Sequence, residues 1–301
     1  MTDASLATHD LSFGYVKAQP VVDDVTVVVP CGGLVGILGP NGSGKTTLLR
    51  LLAGLQRPWK GRVTLDGTDL RSLGRAAVAR RVAVVPQETQ LAFDYTALEI
   101  AVMGRYPHLS TFEVEGQEDL ELAREALGAT GTRHLESRLF NTLSGGEKQR
   151  VVIASALAQF SQTSHEQPHQ TEVLLLDEPT ASLDLAYQIE IRTILVELNR
   201  TRGLTIVIST HDLNLASGLC RDLILLDRGR VLATGPINSM MNPALIRQLY
   251  DVEVDISTHP RTGHLTIVPV ARSSSSGHEA PWANPASEAT GTGLRGPATE
   301  R

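Results

Sequence analysis

From Leu34 onward, aliphatic blocks recur along the chain, each closed by a glycine-rich or charged turn and followed by residues of helical periodicity. The blocks at 34–38, 82–85, 173–176, 205–208 and 223–226 lack polar alternation. Strands that are apolar on both faces must be covered on both, so these blocks predict the buried parallel sheet of a βα-alternating fold. After Asp184 the period changes. Ile191, Ile194, Leu195 and Leu198 fall at i, i+3, i+4 and i+7, which predicts a helix with one face on the sheet. Upstream, Leu11, Phe13 and the runs 25–29 and 62–65 predict a small antiparallel sheet, and the stretch 91–159 is poorer in strand and richer in helix. Two segments break the pattern. Residues 160–171 are polar and read as a surface insertion in which His165 and His169 are solvated rather than metal-binding. The residues after Arg272 are rich in Gly, Pro, Ala, Ser and Thr, too poor in apolar area to offset their ordering entropy, and are expected to be disordered.

Composition narrows the classes of function. With 301 residues, 42% of them hydrophobic, the chain can bury a sizeable core. A net charge of −6 argues against a general nucleic-acid binder, and no nucleic-acid partner is expected. The start of the chain has neither the basic region nor the apolar run of a signal peptide, and no apolar run approaches the ~18 residues of a spanning helix. Cys31 and Cys220 have no metal-type spacing and are expected to be inert filler.

The chemistry concentrates in a few places. Gly39-Pro40-Asn41-Gly42-Ser43-Gly44-Lys45-Thr46-Thr47 lies between a predicted strand and a predicted helix, the context of a Walker A loop. Its glycines let backbone N–H groups wrap a phosphate, and the helix N-terminus adds partial positive charge. Lys45 is expected at the β- and γ-phosphates and the Thr46 hydroxyl on Mg²⁺. The block at 173–176 ends in Asp177-Glu178, where a buried carboxylate needs a partner. A strand can end in two acids simply because it reaches solvent. With a Walker A loop upstream, Asp177 reads as the Walker B metal holder and Glu178 as the base that activates water.

Leu143-Ser144-Gly145-Gly146-Glu147-Lys148-Gln149-Arg150 resembles the signature of the ATP-binding cassette, or ABC, ATPases. The likeness covers residues 5–240, with the motifs in the family's order. It implies a P-loop α/β core with a parallel sheet, an N-terminal antiparallel β-subdomain and an inserted helical subdomain at about 91–159 that carries the signature. A C-terminal extension at 241–271 and a tail at 272–301 complete the expected organisation. By resemblance, Gln87 is the Q-loop residue near metal and attacking water, and His211 is the switch histidine at the γ-phosphate. Ser182-Leu183-Asp184 matches the D-loop, with Asp184 facing the dimer partner, and Tyr15 stands where the family stacks an aromatic on adenine, with Phe13 kept as core. Ser144, Gly145 and Gly146 form a second anion site which, in the family, faces the ATP of another subunit. A chain with one cassette is therefore expected to form a head-to-tail homodimer closing on two ATP molecules, with Mg²⁺.

No fused membrane segment, second cassette or long coiled coil is visible, which leaves a cassette that serves a separate membrane permease. The region 91–109, with Phe93, Tyr106 and Leu109, resembles importers of iron–siderophore chelates, haem and cobalamin, where it receives a permease helix. Asp212-Leu213-Asn214-Leu215-Ala216 points the same way. The resemblance implies ATP hydrolysis coupled to uptake at the cytoplasmic face of a membrane, with a substrate-binding protein acting through the permease. Zinc or manganese importers share parts of these runs, and a non-transport nucleotide switch remains the alternative of another class.

Overall fold

The computed structural model describes residues 4–89, 91–110, 112–160, 171–181 and 183–272. The expectations for 161–170, with His165 and His169, for Ser182 and for the tail beyond Arg272 lie outside the described residues.

In chain order, β1 (Ala4–Phe13), β2 (Val22–Val25) and β3 (Val28–Pro30) lead into β4 (Leu34–Leu38) and α1 (Lys45–Leu52). Next come β5 (Lys60–Leu65), β6 (Thr68–Asp69), the short α2 (Arg75–Ala79) and β7 (Val82–Val85). Three helices follow, with no strand between them among the described residues: α3 (Ala97–Met103), α4 (Gln117–Ala129) and α5 (Gly145–Ala158). The alternation then resumes with β8 (Val173–Asp177), α6 (Leu185–Arg202), β9 (Thr205–Thr210), α7 (Leu213–Leu219), β10 (Asp222–Asp227) and β11 (Arg230–Pro236). The described chain closes with α8 (Ile237–Met240), α9 (Pro243–Tyr250) and the hairpin β12 (Val252–Thr258) and β13 (Leu265–Arg272).

The six-stranded sheet has the order β11-β10-β4-β9-β8-β7. Its five aliphatic strands pair in parallel, and β11 adds an antiparallel edge that the aliphatic blocks did not announce. Alternate side chains of each strand enter opposite layers. Leu34 and Leu38 of β4, Leu174 and Leu176 of β8, and Ile206 and Ile208 of β9 pack into the layer built with α5, α6 and α7. Val35, Ile37, Val173, Leu175 and Val207 pack with α1 and the N-terminal strands. The predicted stripe of α6 divides accordingly: Ile191, Leu195 and Leu198 are buried, and Ile194 is half-buried against the same core.

A second sheet of five strands runs β2-β1-β5-β6, with β3 also on β1. The run 25–29 enters this sheet divided between β2 and β3. The Thr8 hydroxyl donates to the Val25 carbonyl at 2.9 Å and accepts the Val27 N–H at 3.0 Å, so a side chain takes the place of the ladder at the break.

One further expectation is corrected. Phe160, placed at the head of the polar insertion, is only 3% exposed and belongs to the core beside α5. Of the two cysteines expected to be filler, Cys220 is buried and its thiol is pushed up to about 12 by burial, whereas Cys31 is exposed, its Sγ 3.7 Å from Thr171 Oγ1. Among the described residues no helix is long and apolar enough to cross a membrane.

Candidate nucleotide site

The loops at the carboxyl ends of β4, β7, β8 and β9 converge on one cleft of about 680 Å³, which is where open parallel sheets place their ligands. The loop after β4 turns into α1 through Gly44 at φ +103°, where a Cβ would lie 2.7 Å from the Val21 carbonyl oxygen. Only glycine combines that backbone with that approach. At Gly42, φ +79°, an added Cβ would meet nothing within 4 Å because the position faces the open cleft. Asn41, Gly42, Gly44, Lys45, Thr46 and Thr47 all contribute to its wall.

Lys45 is 5% exposed, and a buried ammonium needs partners. Its Nζ donates to the carbonyls of Gly39 at 2.9 Å and Pro40 at 3.2 Å and lies 3.6 Å from Glu178 Oε1. Thr46 Oγ1 donates to Asp177 Oδ1 at 3.1 Å. The same carboxylate oxygen accepts from Ser209 Oγ at 2.6 Å, since Ser209 stands opposite Asp177 in the β8–β9 register. Glu178 follows with φ +46°, the left-handed region that side chains with a Cβ disfavour. Its N–H is held by the Ser209 carbonyl and hydroxyl, each at 3.1 Å. Glu178 Oε2 lies 3.1 Å from His211 Nδ1; a carboxylate only accepts, so Nδ1 carries the proton of this contact. Gln87, on the loop after β7, lines the same cleft.

Tyr15 is 55% exposed and presents its ring at the rim, with Phe13 buried beneath it edge-on at 5.2 Å between centroids. The Tyr15 hydroxyl is 3.4 Å from Thr47 Oγ1 and accepts from Arg50 Nη1 at 3.2 Å; the Thr47 contact, then Arg50, lowers its pKa against the opposing effect of burial.

Ser144, Gly145, Gly146 and Asp184 do not join this group. Ser144 caps α5, and the exposed Asp184 precedes α6 with no side-chain cap hydrogen bond, both outside the set of residues that line the cleft. The structure thus brings the phosphate loop, both acids, Gln87 and His211 together, and the signature residues are not among those that line the cleft. Sequence reasoning missed Ser209, Arg50, Val21 and Ala181, the last two of which line the cleft. The one available signal was a serine interrupting an otherwise aliphatic strand just before His211.

The residues present fit a metal-bound nucleoside triphosphate. Ser43 Oγ is buried without a hydrogen-bond partner at the base of the phosphate loop, and Gly42 leaves open the space a side chain would fill. Thr46 and Asp177 pair a hydroxyl with a carboxylate, the oxygen donors that a hard cation prefers.

Comparison with known proteins agrees with this geometry. Residues 22–181 match the ABC transporter family model. The chain is 38% identical over 273 residues to the ferric enterobactin transport ATP-binding protein of Escherichia coli K12, covering 91% of this chain and 97% of that protein. It is 39% identical over 241 residues to the hemin import ATP-binding protein of Bordetella pertussis, covering 80% and 90%. It is also 39% identical over 250 residues to the cobalamin import ATP-binding protein of Halobacterium salinarum, where the match covers 83% of this chain and 60% of that longer protein. Among solved structures, a metal-chelate type ABC transporter in an inward-facing conformation superposes with a TM-score of 0.75 at 27% identity, covering 89% of this chain and 98% of that one. A dimeric bacterial ABC transporter cassette superposes at 0.64 with 28% identity, covering 77% and 98%. By its motifs, its fold and these matches, the chain belongs to the ABC transporter family and is one of its ATP-binding cassettes.

Proposed function

We propose that the chain is the ATP-hydrolysing subunit of an importer for an iron chelate, haem or cobalamin, working as a homodimer beneath a separate membrane permease that a substrate-binding protein supplies. The observation that carries the ATPase reading is the cluster of Lys45, Glu178 and His211 in one cleft, with Asp177 bonded to Thr46 in its wall. Lys45 contacts two carbonyls and Glu178. In the reaction it turns to the β- and γ-phosphates, leaving Glu178 free to accept a proton from the attacking water. Water oxygen bonds to the γ-phosphorus, the bond to the bridging oxygen breaks, and ADP and phosphate leave. His211 orients Glu178 and the γ-phosphate, while Tyr15 stacks on the base. Thr46 and Asp177, with Gln87 beside them, would hold Mg²⁺, which would supply charge neutralisation at the phosphate oxygens.

The dimer reading is supported by the separation of Ser144–Gly146 from the cleft: one chain offers a phosphate loop and, elsewhere, the anion site of another. The transport reading is supported by relatives named for ferric enterobactin, hemin and cobalamin import. It is supported also by exposed apolar side chains at Phe93, Tyr106, Phe112 and Val114, a surface suited to a permease helix. Tagged chain recovered from detergent-solubilised membranes of its own cell is expected to carry a multi-span protein with it. In the reconstituted complex, ferric chelate, haem or cobalamin should stimulate ATP turnover. Stimulation by zinc or manganese alone would reassign the cargo, and recovery with no membrane protein would favour a non-transport nucleotide switch.

A further inference from the structure

The signature serine is held from below by a residue outside all the motifs. Ser144 caps α5: its Oγ accepts the Glu147 N–H at 3.3 Å, and the Glu147 carboxylate accepts the Ser144 N–H at 2.7 Å. The serine's own hydroxyl donates in another direction, to the phenol oxygen of Tyr187 in the first turn of α6, at 3.4 Å. Gly146 lies against the same ring. A Cβ built there would come within 2.3 Å of Tyr187 Cγ and Cδ1 and 2.9 Å of its Cβ. At Gly145 the neighbour is Leu183 Cδ2, 3.5 Å from an added Cβ, and one turn on Arg150 pairs with Glu190 at 3.5 Å. The first turns of α5 and α6 therefore meet along a seam of small residues against Tyr187.

We propose that Tyr187 is the positioning residue of the signature serine, and that position 146 is glycine because Tyr187 lies beneath it. The inference rests on the reading that Ser144 meets the nucleotide of a second cassette. A hydroxyl pair usually sits at about 2.7–2.8 Å, so the 3.4 Å contact is weak and the serine proton transfers readily to a charged phosphate oxygen, the stronger acceptor. A phenol donates as well as accepts. When the serine turns its proton to phosphate, Tyr187 donates to Ser144 Oγ and keeps the side chain in place. Tyr187 stands one helical turn from Asp184, so a shift of the turn at 183–184 carries the ring beneath Ser144 and Gly146 with it. The anion site on α5 and the turn that opens α6 consequently adjust as one body. A glycine kept for a neighbouring ring and a glycine kept for close approach of nucleotide make different predictions when the ring is removed.

The test uses the full chain and four variants: Tyr187→Phe, Tyr187→Ala, Gly146→Ala and the double variant Gly146→Ala/Tyr187→Ala. Nucleotide binding by the monomer, kcat and KM for ATP, and ATP-driven dimerisation in a Glu178→Gln background are measured for each. Tyr187→Phe is expected to bind nucleotide with unchanged affinity and KM, while kcat falls and the dimer dissociation constant rises by about fivefold, the worth of one ordinary hydrogen bond. Gly146→Ala is expected to lose dimerisation, and the double variant to recover it to the level of Tyr187→Ala. Wild-type kcat and dimer affinity in Tyr187→Phe would overturn the positioning role. A double variant as defective as Gly146→Ala, beside an active Tyr187→Ala, would overturn the account of the glycine. A Glu178→Gln chain with Tyr187 and Gly146 intact that binds ATP and never dimerises would instead sink the reading on which the inference rests, so the two failures separate in the control.

Discussion

At the scale of single residues, Lys45 illustrates how burial turns a side chain into a tool. Two carbonyls and the Glu178 carboxylate are its partners, and they hold the buried ammonium in the cleft. Lys45→Ala is expected to weaken ATP binding by about tenfold to a hundredfold, the range for a charge-assisted contact, in an equilibrium fluorescence titration. Glu172, just before β8, offers a pH test away from the site. Desolvation pushes its carboxyl from 4.5 to about 6, with Arg202 opposing. Above that value the carboxylate is charged in both folded and unfolded chains, and the folded state bears the cost; below 4.5 it is protonated in both and the cost disappears. The contribution to stability therefore falls as pH rises through this window. Glu172→Gln should gain up to about 2 kcal/mol at pH 7 and almost nothing at pH 4, read by urea unfolding at both values. The residues legible beforehand, Lys45, Asp177 and Glu178, announce themselves through local spacing. Ser209 and Tyr187 do not, because their meaning comes from the register of β8 on β9 and the contact of α6 with α5.

At the scale of elements, α5 is gripped at both ends. Its N-terminus has the Ser144–Glu147 capping box; at its C-terminus, Arg105 Nη1 donates to the Ala158 carbonyl at 2.9 Å and its Nε to Asp119 Oδ1 at 3.0 Å. His108 Nε2 lies 2.8 Å from the Gln159 carbonyl and, since a carbonyl only accepts, carries the proton; burial lowers its pKa and keeps the ring neutral. Removing Arg105 leaves Asp119 without its ion-pair partner and Ala158 without its donor. Arg105→Ala is expected to cost about 3 kcal/mol, measured by chemical unfolding, in line with breaking a largely buried pair. A capping box also starts α3, where Thr96→Ala should cost about 1 kcal/mol in the same assay. The aliphatic strands and the α6 stripe were readable because their pattern is local. The break between β2 and β3 was not, since it is made by Thr8 from another strand, and neither was the burial of Phe160, whose partners lie in the helical layer.

At the scale of the molecule, two surfaces bear on assembly. One carries Phe93, Tyr106, Val114 and Phe112, the last 98% exposed. Phe112→Asp is expected to leave ATP binding intact and to abolish recovery of the membrane partner. The other is the signature face of α5, set apart from the cleft its own chain provides. The most direct measurement of the account is sedimentation velocity of Glu178→Gln protein with and without ATP and Mg²⁺. Removing the proposed base should preserve binding and stop turnover, so the account predicts a monomer that becomes a stable dimer with two nucleotides bound. Protein that binds ATP and stays monomeric at high concentration would contradict it.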